Sequence, residues 1–490
     1  MLGWLLLLPI IFPVVAGLFV FRIQNRKTMR TLVSVIVLIN AGLVYAIAFA
    51  PDITFNVWSI SDTMLITFHQ DAMSRFFACT VASIWVLVVF FAFEYITHEG
   101  KEALFLGFYT MTIGTIIGIC YSGNLITFYM FFEFMSLITV PLVIHSRTKD
   151  AMSAGMKYLG YSVFGAGLGL FGLFFMNHYM GGQLAFTPGG NLDMSIVAGN
   201  ENLVLAMTLI MVIGFGCKAG MLPLHAWLPT AHPVAPAPAS AVLSGLITKA
   251  GVLGIIRVCY YMVGTDFLTG SWVQTTLMAI SMGTVFMGSM LAFKEKLFKK
   301  RLALSTVSQV SYVLFGLFLF TPEGLLGALL QVIFHAVAKN IMFLSAGAII
   351  YKTHKTYVYE LKGMGKQMPI VMWCFTLASL SLIGIPPTGG YFSKWYLATG
   401  AIAPQFGWLG ILGAATLLVS ALLTAGYVLP IVQDAFFPGK DFNYAGLEKK
   451  EPNGLMTVPL IILTVAVVGL GIIPSPLTAA IGSISATLFP

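Results

Sequence analysis

The 490-residue sequence is 58% hydrophobic, contains only 9% charged residues and has a mean hydropathy of +0.91. Soluble globular domains do not reach these values, so the composition excludes them and predicts a polytopic membrane protein. The net charge of +8 lies in short basic clusters beside apolar runs, so it does not indicate a nucleic-acid partner.

Apolar runs of about twenty residues, the length that crosses a bilayer as a helix, follow one another along the whole chain. They predict an all-α protein with roughly fourteen transmembrane helices in a single membrane domain, residues 1–490. Basic residues follow the first run rather than precede it, so we expect a retained helix and not a cleaved signal peptide. The predicted spans are 3–21, 31–50, 73–95, 104–121, 124–144, 157–178, 203–220, 239–262, 272–293, 302–320, 325–350, 369–400 with a break, 408–433 and 455–475.

Positive charge is distributed unevenly between the two sides of this arrangement. Of the 26 Lys and Arg residues, twenty lie in the odd-numbered connections, and Arg75 alone lies beside an even-numbered one. Basic residues collect in cytoplasmic connections of membrane proteins. The pattern therefore predicts a multi-pass protein of the plasma (inner) membrane, with the odd connections in the cytoplasm and both termini on the outer face.

The other five basic residues lie inside predicted spans, where a charged side chain at mid-bilayer costs roughly 2.5–3.5 kcal/mol. Such groups face a protein interior or a water-filled cavity, so several of them in one domain indicate a function. Arg257 is near the end of its span, and it either has a role there or extends to the membrane surface. The five are Lys218, Lys249, Arg257, Lys339 and Lys394.

Glu133, in "FYMFFEFMSL", is the one acidic residue near the middle of a predicted span. One interpretation is a fixed ion pair with a lysine that holds two helices together. The other is a pair with Lys218 that can be made and broken. When the two groups are in contact, each stabilises the charged form of the other. When they are separated in a site without water, the neutral form of each is favoured. Only the second arrangement can pass a proton on.

A polar stripe runs along the eleventh span, "LLQVIFHAVAKNIMFLSAG". Gln331, His335 and Lys339 are spaced four residues apart, so they share one helical face over about 12 Å. A lone histidine is more often a hydrogen-bonded core residue, but its place in a stripe favours a function. Because neutral imidazole both donates and accepts a proton, His335 is suited to a relay.

Two predicted spans contain helix breakers beside a lysine. Lys218 is followed by Pro223, and in "GIPPTGGYFSKWYL" Pro386 and Pro387 precede Lys394. Irregular backbone at membrane depth needs protein or water partners, and paired broken helices in two halves of a chain are typical of inverted-repeat transporters. A simple proline kink is the alternative, and it explains one such segment more easily than two.

Two histidines lie in the proline-rich connection after the seventh span, "PLHAWLPTAHPVAPAPASAVLSG". His225 and His232 are candidates for proton uptake from the cytoplasmic side. Proline-rich turns also hold histidine for packing or solvation, so this alternative stays open.

The five cysteines lie in apolar runs, and none has C-x-x-C spacing. They indicate small core residues rather than disulfides or metal ligands. The sequence has no phosphate-binding glycine loop, metal-ligand cluster or nucleophile arrangement, so we expect no catalytic residue, cofactor or metal site. Any redox chemistry is then expected in a partner.

Six segments between about Asp71 and Phe437 resemble the antiporter-like subunits shared by respiratory complex I, membrane-bound energy-converting hydrogenases and Mrp cation/proton antiporters. In the order of that family they are "FFEFMSL", "KAGMLPLHAWLPTAHPVAPAPASAVLSG", "TKAGVLGIIR", "LALSTVSQVSY", "FHAVAKNIMFLSAG" and "IGIPPTGGYFSKWYL". The resemblance implies fourteen helices, with helices 4–8 (residues 104–262) and 9–13 (residues 272–433) as inverted repeats and helices 7 and 12 broken.

The resemblance also implies roles for the buried charges. Glu133 and Lys218 look like the family's gating pair, and Lys249 looks like the central lysine. His335 and Lys339 resemble its eleventh-helix relay, and Lys394 resembles the residue that controls the far exit. Gln331 departs from the histidine that some members carry, which shortens the titratable stripe. At the position of Lys394 some members have glutamate.

These features lead us to expect a proton-translocating subunit of a redox-driven complex of the complex I or membrane hydrogenase type. The expected partners are other membrane subunits, including homologous antiporter-like ones, a peripheral redox or hydrogenase arm, and the lipid bilayer. The alternatives are an Mrp-type Na⁺/H⁺ antiporter subunit and a purely structural anchor. Without the long lateral helix of the largest members, the chain is most similar to the shorter Mrp D and hydrogenase-type subunits.

Overall fold

A computed structural model describes residues 3–61, 63–440, 442–444 and 447–489. Thirteen helices in these ranges are long and apolar enough to cross a membrane, which confirms the predicted all-α polytopic fold. The predicted twelfth span consists of two shorter helices, α12a (Pro369–Ile383) and α12b (Gly390–Ala401). The other helices are α1 Gly3–Val20, α2 Arg26–Ala48, α3 Ala72–Glu99, α4 Glu102–Cys120, α5 Leu125–Val143, α6 Lys149–Tyr179, α7 Glu201–Ala219, α8 Ala237–Val263, α9 Trp272–Lys294, α10 Phe298–Phe318, α11 Pro322–Thr353, α13 Pro404–Phe436 and α14 Gly454–Ile472.

Short elements occupy several of the connections. They include the helices Met194–Val197, Leu228–Val234, Thr265–Leu268 and Met364–Gln367, and Ser475–Leu488 follows α14. Between α2 and α3 the chain forms an antiparallel hairpin of β1 (Ile53–Ser59) and β2 (Leu65–Gln70), in which Ile53 is opposite Gln70. An entirely α-helical chain was expected, so the hairpin was missed. Its β-branched and aromatic residues, "ITFNVWS" and "LITFHQ", are the available signal.

Two helices are interrupted at the predicted places. α7 ends at Ala219, and the chain becomes helical again only at Leu228, with Pro223 in the gap. α12a ends at Ile383, and α12b begins at Gly390, with two prolines between them. Only glycine fits at position 390, because a Cβ there would lie 1.8 Å from the Ser381 carbonyl oxygen.

The helices divide into a central group and a peripheral one. In the most apolar 18-residue stretch of each helix, every residue of α8 is buried, as are 94% of the residues in α10 and 89% in α11. The corresponding share in α13 is only 22%. α10 is also polar for a buried helix and contributes Ser305, Thr306, Ser308 and Gln309 to the interior. Lys249 and Arg257 on α8 and Lys339 on α11 therefore face protein and not lipid.

Arg257 on α8 is held in a buried ion pair and does not extend to the membrane surface. Its guanidinium donates to both carboxylate oxygens of Asp71, at 2.5 and 2.9 Å, and to Ser74 Oγ at 3.0 Å. Asp71 also caps α3 by accepting from the Ser74 N–H at 2.7 Å. Burial acts to raise the pKa of Asp71, but the charge and hydrogen bonds of Arg257 outweigh it and hold that pKa below the usual range.

We expect Asp71→Asn to lower the free energy of unfolding by about 3–5 kcal/mol, because asparagine keeps the helix cap but leaves Arg257 buried without a counter-charge. The contribution of the wild-type pair is complete above the ordinary aspartate pKa of about 4 and is lost as the pH falls below it. Denaturation of the detergent-solubilised chain measures the change.

The matched control is Asp52→Asn, since Asp52 pairs with Arg75 but its side chain is 60% exposed. That substitution should cost less than about 1 kcal/mol. Equal costs for the two variants would contradict the assignment of the Asp71–Arg257 pair as the stabilising one.

Candidate functional site

Lys218, near the end of α7, is enclosed by hydroxyl groups. Its Nζ donates to Ser136 Oγ at 2.9 Å, to the Tyr158 hydroxyl at 2.7 Å and to Ser162 Oγ at 3.0 Å. The ammonium group also lies 4.4 Å from the centre of the Tyr158 ring. Its side chain is buried, and all three of its protons have neutral acceptors. The Nζ of Lys218 therefore has neutral oxygens and no counter-charge in contact.

The predicted contact between Lys218 and Glu133 is not formed in this structure. None of the ion pairs between described residues includes Glu133, which lies on α5 one turn before Ser136 and is partly exposed. The physical reason is that the three hydroxyls already accept every proton of the ammonium group. In this structure the two groups are therefore not in contact.

The end of α7 is stabilised by side chains that follow the break. Trp227 donates its indole N–H to the Cys217 carbonyl at 2.8 Å, and the same carbonyl also accepts from the Gly220 N–H at the end of the helix. Gly251 lets α8 approach this end closely, because a Cβ there would lie 2.5 Å from the Phe215 carbonyl oxygen. Lys249 is two residues from Gly251, so the two buried lysines lie on closely packed helices.

Lys249 and His335 are in direct contact. Lys249 Nζ lies 2.5 Å from His335 Nδ1 and also donates to the Ser244 carbonyl at 3.0 Å. Ser244 belongs to a π-helical turn, Leu243–Ile247, and such turns occur frequently at functional sites. His335 Nε2 is buried and has no hydrogen-bond partner among the described residues. One imidazole nitrogen therefore meets the lysine, and the other is free for a further acceptor or donor.

Lys339 lies one turn beyond His335 on α11 and is completely buried. Its Nζ donates to the Leu302 carbonyl at 3.0 Å and also contacts Ser305 Oγ, both on α10. As at Lys218, neutral oxygens surround the ammonium group. The polar face of α10 thus provides acceptors for the stripe on α11.

Gln331 connects the stripe to α12b. Its amide nitrogen donates to Gln309 Oε1 at 2.9 Å, and its amide oxygen accepts from Ser393 Oγ at 2.5 Å. Ser393 immediately precedes Lys394 in the chain. The predicted stripe is therefore buried, and its first residue extends the polar row toward the second broken helix.

Lys394 bridges the break in the twelfth helix. Its Nζ donates to the carbonyl oxygens of Leu382 and Ile383, at 2.6 and 2.7 Å, and these are the free acceptors at the end of α12a. The ammonium group also lies 4.9 Å from the centre of the Tyr312 ring. Beside it is a cavity of about 220 Å³ lined by Tyr391 and Lys394. A lysine on one half-helix thus caps the other half.

The two candidate histidines occupy different environments. His225 lines a cavity of about 520 Å³ together with Lys157. Burial lowers the pKa of His225, and the charge of Lys157 lowers it further, although a hydrogen bond to the Pro223 backbone opposes the shift. Neutral His225 is therefore favoured near pH 7.

His232 is completely buried between aromatic rings. Its imidazole stacks on Phe343 at 4.9 Å and on Trp227 at 6.5 Å, and neither ring nitrogen has a hydrogen-bond partner among the described residues. Burial, followed by the charges of Lys299 and Lys339, holds the pKa of His232 well below its ordinary value. His225 thus lines a cavity, whereas His232 is enclosed by aromatic rings.

Several polar residues of the site were not found from the sequence. Lys299 was counted among the residues of a connection because it stands in the basic run "KKR", yet it is only 6% exposed. Its ammonium group donates to the Pro233 carbonyl at 3.2 Å and contacts the Ala235 carbonyl. The hydroxyls around Lys218 were missed as well. The available signals were the spacing of Tyr158 and Ser162 on one helical face and of Ser136 one turn after Glu133.

Residues 122–422 match the family described as "NADH:quinone oxidoreductase/Mrp antiporter, TM". The chain is 30% identical over 412 residues to an NADH-quinone oxidoreductase subunit N of Desulforudis audaxviator, covering 79% of each chain. It is 33% identical over 371 residues to hydrogenase-4 component B of Escherichia coli, covering 73% of this chain and 53% of that one. It is 26% identical over 474 residues to the D-type subunit of a Na(+)/H(+) antiporter of Alkalihalophilus pseudofirmus, covering 94% and 93%.

Comparison with solved structures supports the fold. A chain of the Mrp complex from Dietzia sp. DQ12-45-1b superposes with a TM-score of 0.87 at 22% identity, covering 100% of this chain and 98% of that one. At this identity the likeness shows a shared fold and no more. The extent of the family match and the identity to the subunit N relative together establish that the chain belongs to the antiporter-like membrane subunits shared by NADH:quinone oxidoreductases and Mrp antiporters.

Proposed function

We propose that this chain is the proton-translocating subunit of a redox-driven, multisubunit membrane complex of the complex I or membrane hydrogenase type. The observation that carries the proposal is the direct contact between Lys249 Nζ and His335 Nδ1, at 2.5 Å in the centre of the helix bundle. A buried lysine and an imidazole in contact can exchange a proton, and neither has a structural counter-charge to hold it.

The proposed path begins on the cytoplasmic side, where His225 is the better candidate for proton uptake and His232 is the second. The proton reaches Lys218 and Lys249 through water near the break after α7. It then moves through His335 and Lys339 to Lys394 and leaves on the outer side. Gln331 supports the last step, because its contact with Ser393 continues the hydrogen-bonded row to α12b.

Gating is assigned to the Lys218–Glu133 pair. The arrangement in which three hydroxyls hold Lys218 is one of two states, and the other is an ion pair with Glu133. Moving between them changes how strongly Lys218 retains its proton, since an adjacent carboxylate favours the charged form. A proton therefore passes from Lys218 to the next group only when the ion pair between Lys218 and Glu133 is broken.

The two broken helices support an organisation in two halves. We infer that residues 104–262 and 272–433 form inverted repeats, because each range contains one interrupted helix with a lysine at its break. Both termini are assigned to the outer face from the positive charge of the odd connections. The partners are neighbouring membrane subunits, including homologous ones, and a peripheral redox or hydrogenase arm.

The second candidate function is that of an Mrp-type Na⁺/H⁺ antiporter subunit. The similarity to the D-type antiporter relative, which extends over 94% of the chain, favours it. Against it, Glu133 is the only acidic residue near the middle of a predicted span, so a Na⁺ site with oxygen ligands is expected in a neighbouring subunit.

A vesicle assay distinguishes the two functions. The vesicles carry the whole complex in their membrane, and a pH-sensitive dye reports proton movement. A redox-driven pump responds to the electron donor of the complex and not to a Na⁺ pulse. The reverse response would assign the antiporter function. A response to neither, with the complex intact, would support the remaining alternative of a structural anchor.

Replacing Lys218 with alanine should reduce proton translocation by about 100-fold or more, because general acid–base transfer at one group is worth roughly that factor. The assembled complex should persist, since the surrounding hydroxyls lose a cationic partner but remain able to bind water. Translocation is measured in vesicles and assembly by native electrophoresis.

The control is Lys362→Ala, which removes a lysine from the connection that follows α11. It should leave translocation unchanged. Wild-type translocation by a correctly assembled Lys218→Ala complex would exclude the proposed path.

Tyr158→Phe tests the gating step, because it removes the closest acceptor of Lys218 and keeps the aromatic ring. A hydrogen bond to a charged group is worth about 1.5–3 kcal/mol, so the separated state should become rarer by about tenfold or more. We expect translocation to slow by a similar factor.

Tyr359→Phe is the matched control, since this tyrosine is 60% exposed. Translocation by Tyr158→Phe at the rate of this control would show that the hydroxyl-bound state of Lys218 is not part of the cycle.

A further inference from the structure

A basic cavity lies at the end of the molecule that carries most of the positive charge. It measures about 520 Å³ and is lined by side chains of α6, of the segment after α7, of the end of α9, of the beginning of α10 and of the connection between them. Its charged lining residues are Lys157, Lys294, Glu295, Lys296 and Lys300.

The positive charge of this cavity is largely uncompensated. Glu295 is the one acidic lining residue, and it is already paired with Lys300 at 2.7 Å. Lys157, Lys294 and Lys296 have no ion pair with any residue in the described ranges. Three like charges facing one space repel each other and favour an anionic ligand between them.

An apolar groove adjoins the cavity. It measures about 350 Å³, and Lys157 lines both spaces. The remaining groove residues are Gly160, Tyr161, Phe164 and Leu224. Gly160 leaves the groove open on one side, since a Cβ at this position would meet no atom within 4 Å. A charged cavity and an apolar groove thus meet at one lysine.

A soluble anion would use the cavity alone and leave the groove empty. A molecule with an anionic head and a hydrocarbon chain fills both, and membranes supply such molecules in quantity. Basic pockets between helices on the cytoplasmic side bind anionic lipid head groups, and each lysine near the surface contributes to the attraction. Lys157 lies in the third turn of α6, between the cavity and the groove.

We propose that this cavity and groove form a binding site for one anionic phospholipid, with its phosphate between Lys157, Lys294 and Lys296 and an acyl chain along Gly160 and Phe164. The head group then lies beside His225, which lines the same cavity. Bound lipid contributes a negative charge at this point and offsets the repulsion that Lys157 exerts on a protonated imidazole.

The test uses the full-length chain in mixed micelles that contain equal amounts of phosphatidylglycerol and phosphatidylcholine. After washing with lipid-free detergent, mass spectrometry measures the lipid that remains bound. Phosphatidylglycerol should be retained in preference to phosphatidylcholine. In the triple variant Lys157→Gln/Lys294→Gln/Lys296→Gln, its retention should fall by about tenfold or more.

The control variant, Lys362→Gln/Lys440→Gln/Lys449→Gln, removes the same charge from other odd connections and should retain the lipid as wild type does. Gly160→Leu fills the groove and should also reduce retention, while inorganic phosphate in excess should not displace the lipid. Equal retention of both lipids, equal losses in the two triple variants, or displacement by phosphate with no effect of Gly160→Leu would each overturn the proposal.

Discussion

The structure depends on how four ammonium groups are kept within the helix bundle, three of them buried and that of Lys394 partly exposed. Each of Lys218, Lys249, Lys339 and Lys394 needs oxygen or nitrogen acceptors in place of water, because an unsolvated charge costs far more than a helix bundle can offset. None of them forms an ion pair among the described residues. Hydroxyls, carbonyls and one imidazole supply the acceptors instead. The hydroxyls of α5 and α6, the polar face of α10, the π-helical turn of α8 and the break after α12a place such groups where a lysine needs them.

Arg257 shows the opposite solution within the same fold. It is buried as deeply as Lys218, Lys249 and Lys339, but a bidentate contact with Asp71 and a hydrogen bond to Ser74 fix both its charge and its position. A guanidinium does not lose its proton in proteins, and a carboxylate in contact makes the pair more permanent. The neutral partners of the lysines exert no such hold. Under the proposed function, the difference between a structural cation and a lysine that passes its proton on therefore lies in the partner and not in burial.

The sequence was sufficient to locate the charges but not their neighbours. Lys218, Lys249, Lys339 and Lys394 stand out because each interrupts an apolar run, and the helix breaks follow from proline and glycine near two of them. The Asp71–Arg257 contact joins residues 186 positions apart, and no local pattern encodes it. For the same reason the hydroxyls of Tyr158 and Ser162 were not assigned to Lys218. Lys299 was misplaced because a basic run resembles a surface connection whether or not one member turns inward.

The cap that Lys394 forms on α12a does not depend on the charge of the lysine. An ammonium group has three protons, and two of them are used by the carbonyls of Leu382 and Ile383. The third is not needed to hold the helix end, and a neutral amine still has two N–H groups for the same carbonyls. Lys394 can therefore lose a proton and still keep both hydrogen bonds that connect α12b to α12a. The connection between α12a and α12b therefore stays intact while the charge of Lys394 changes.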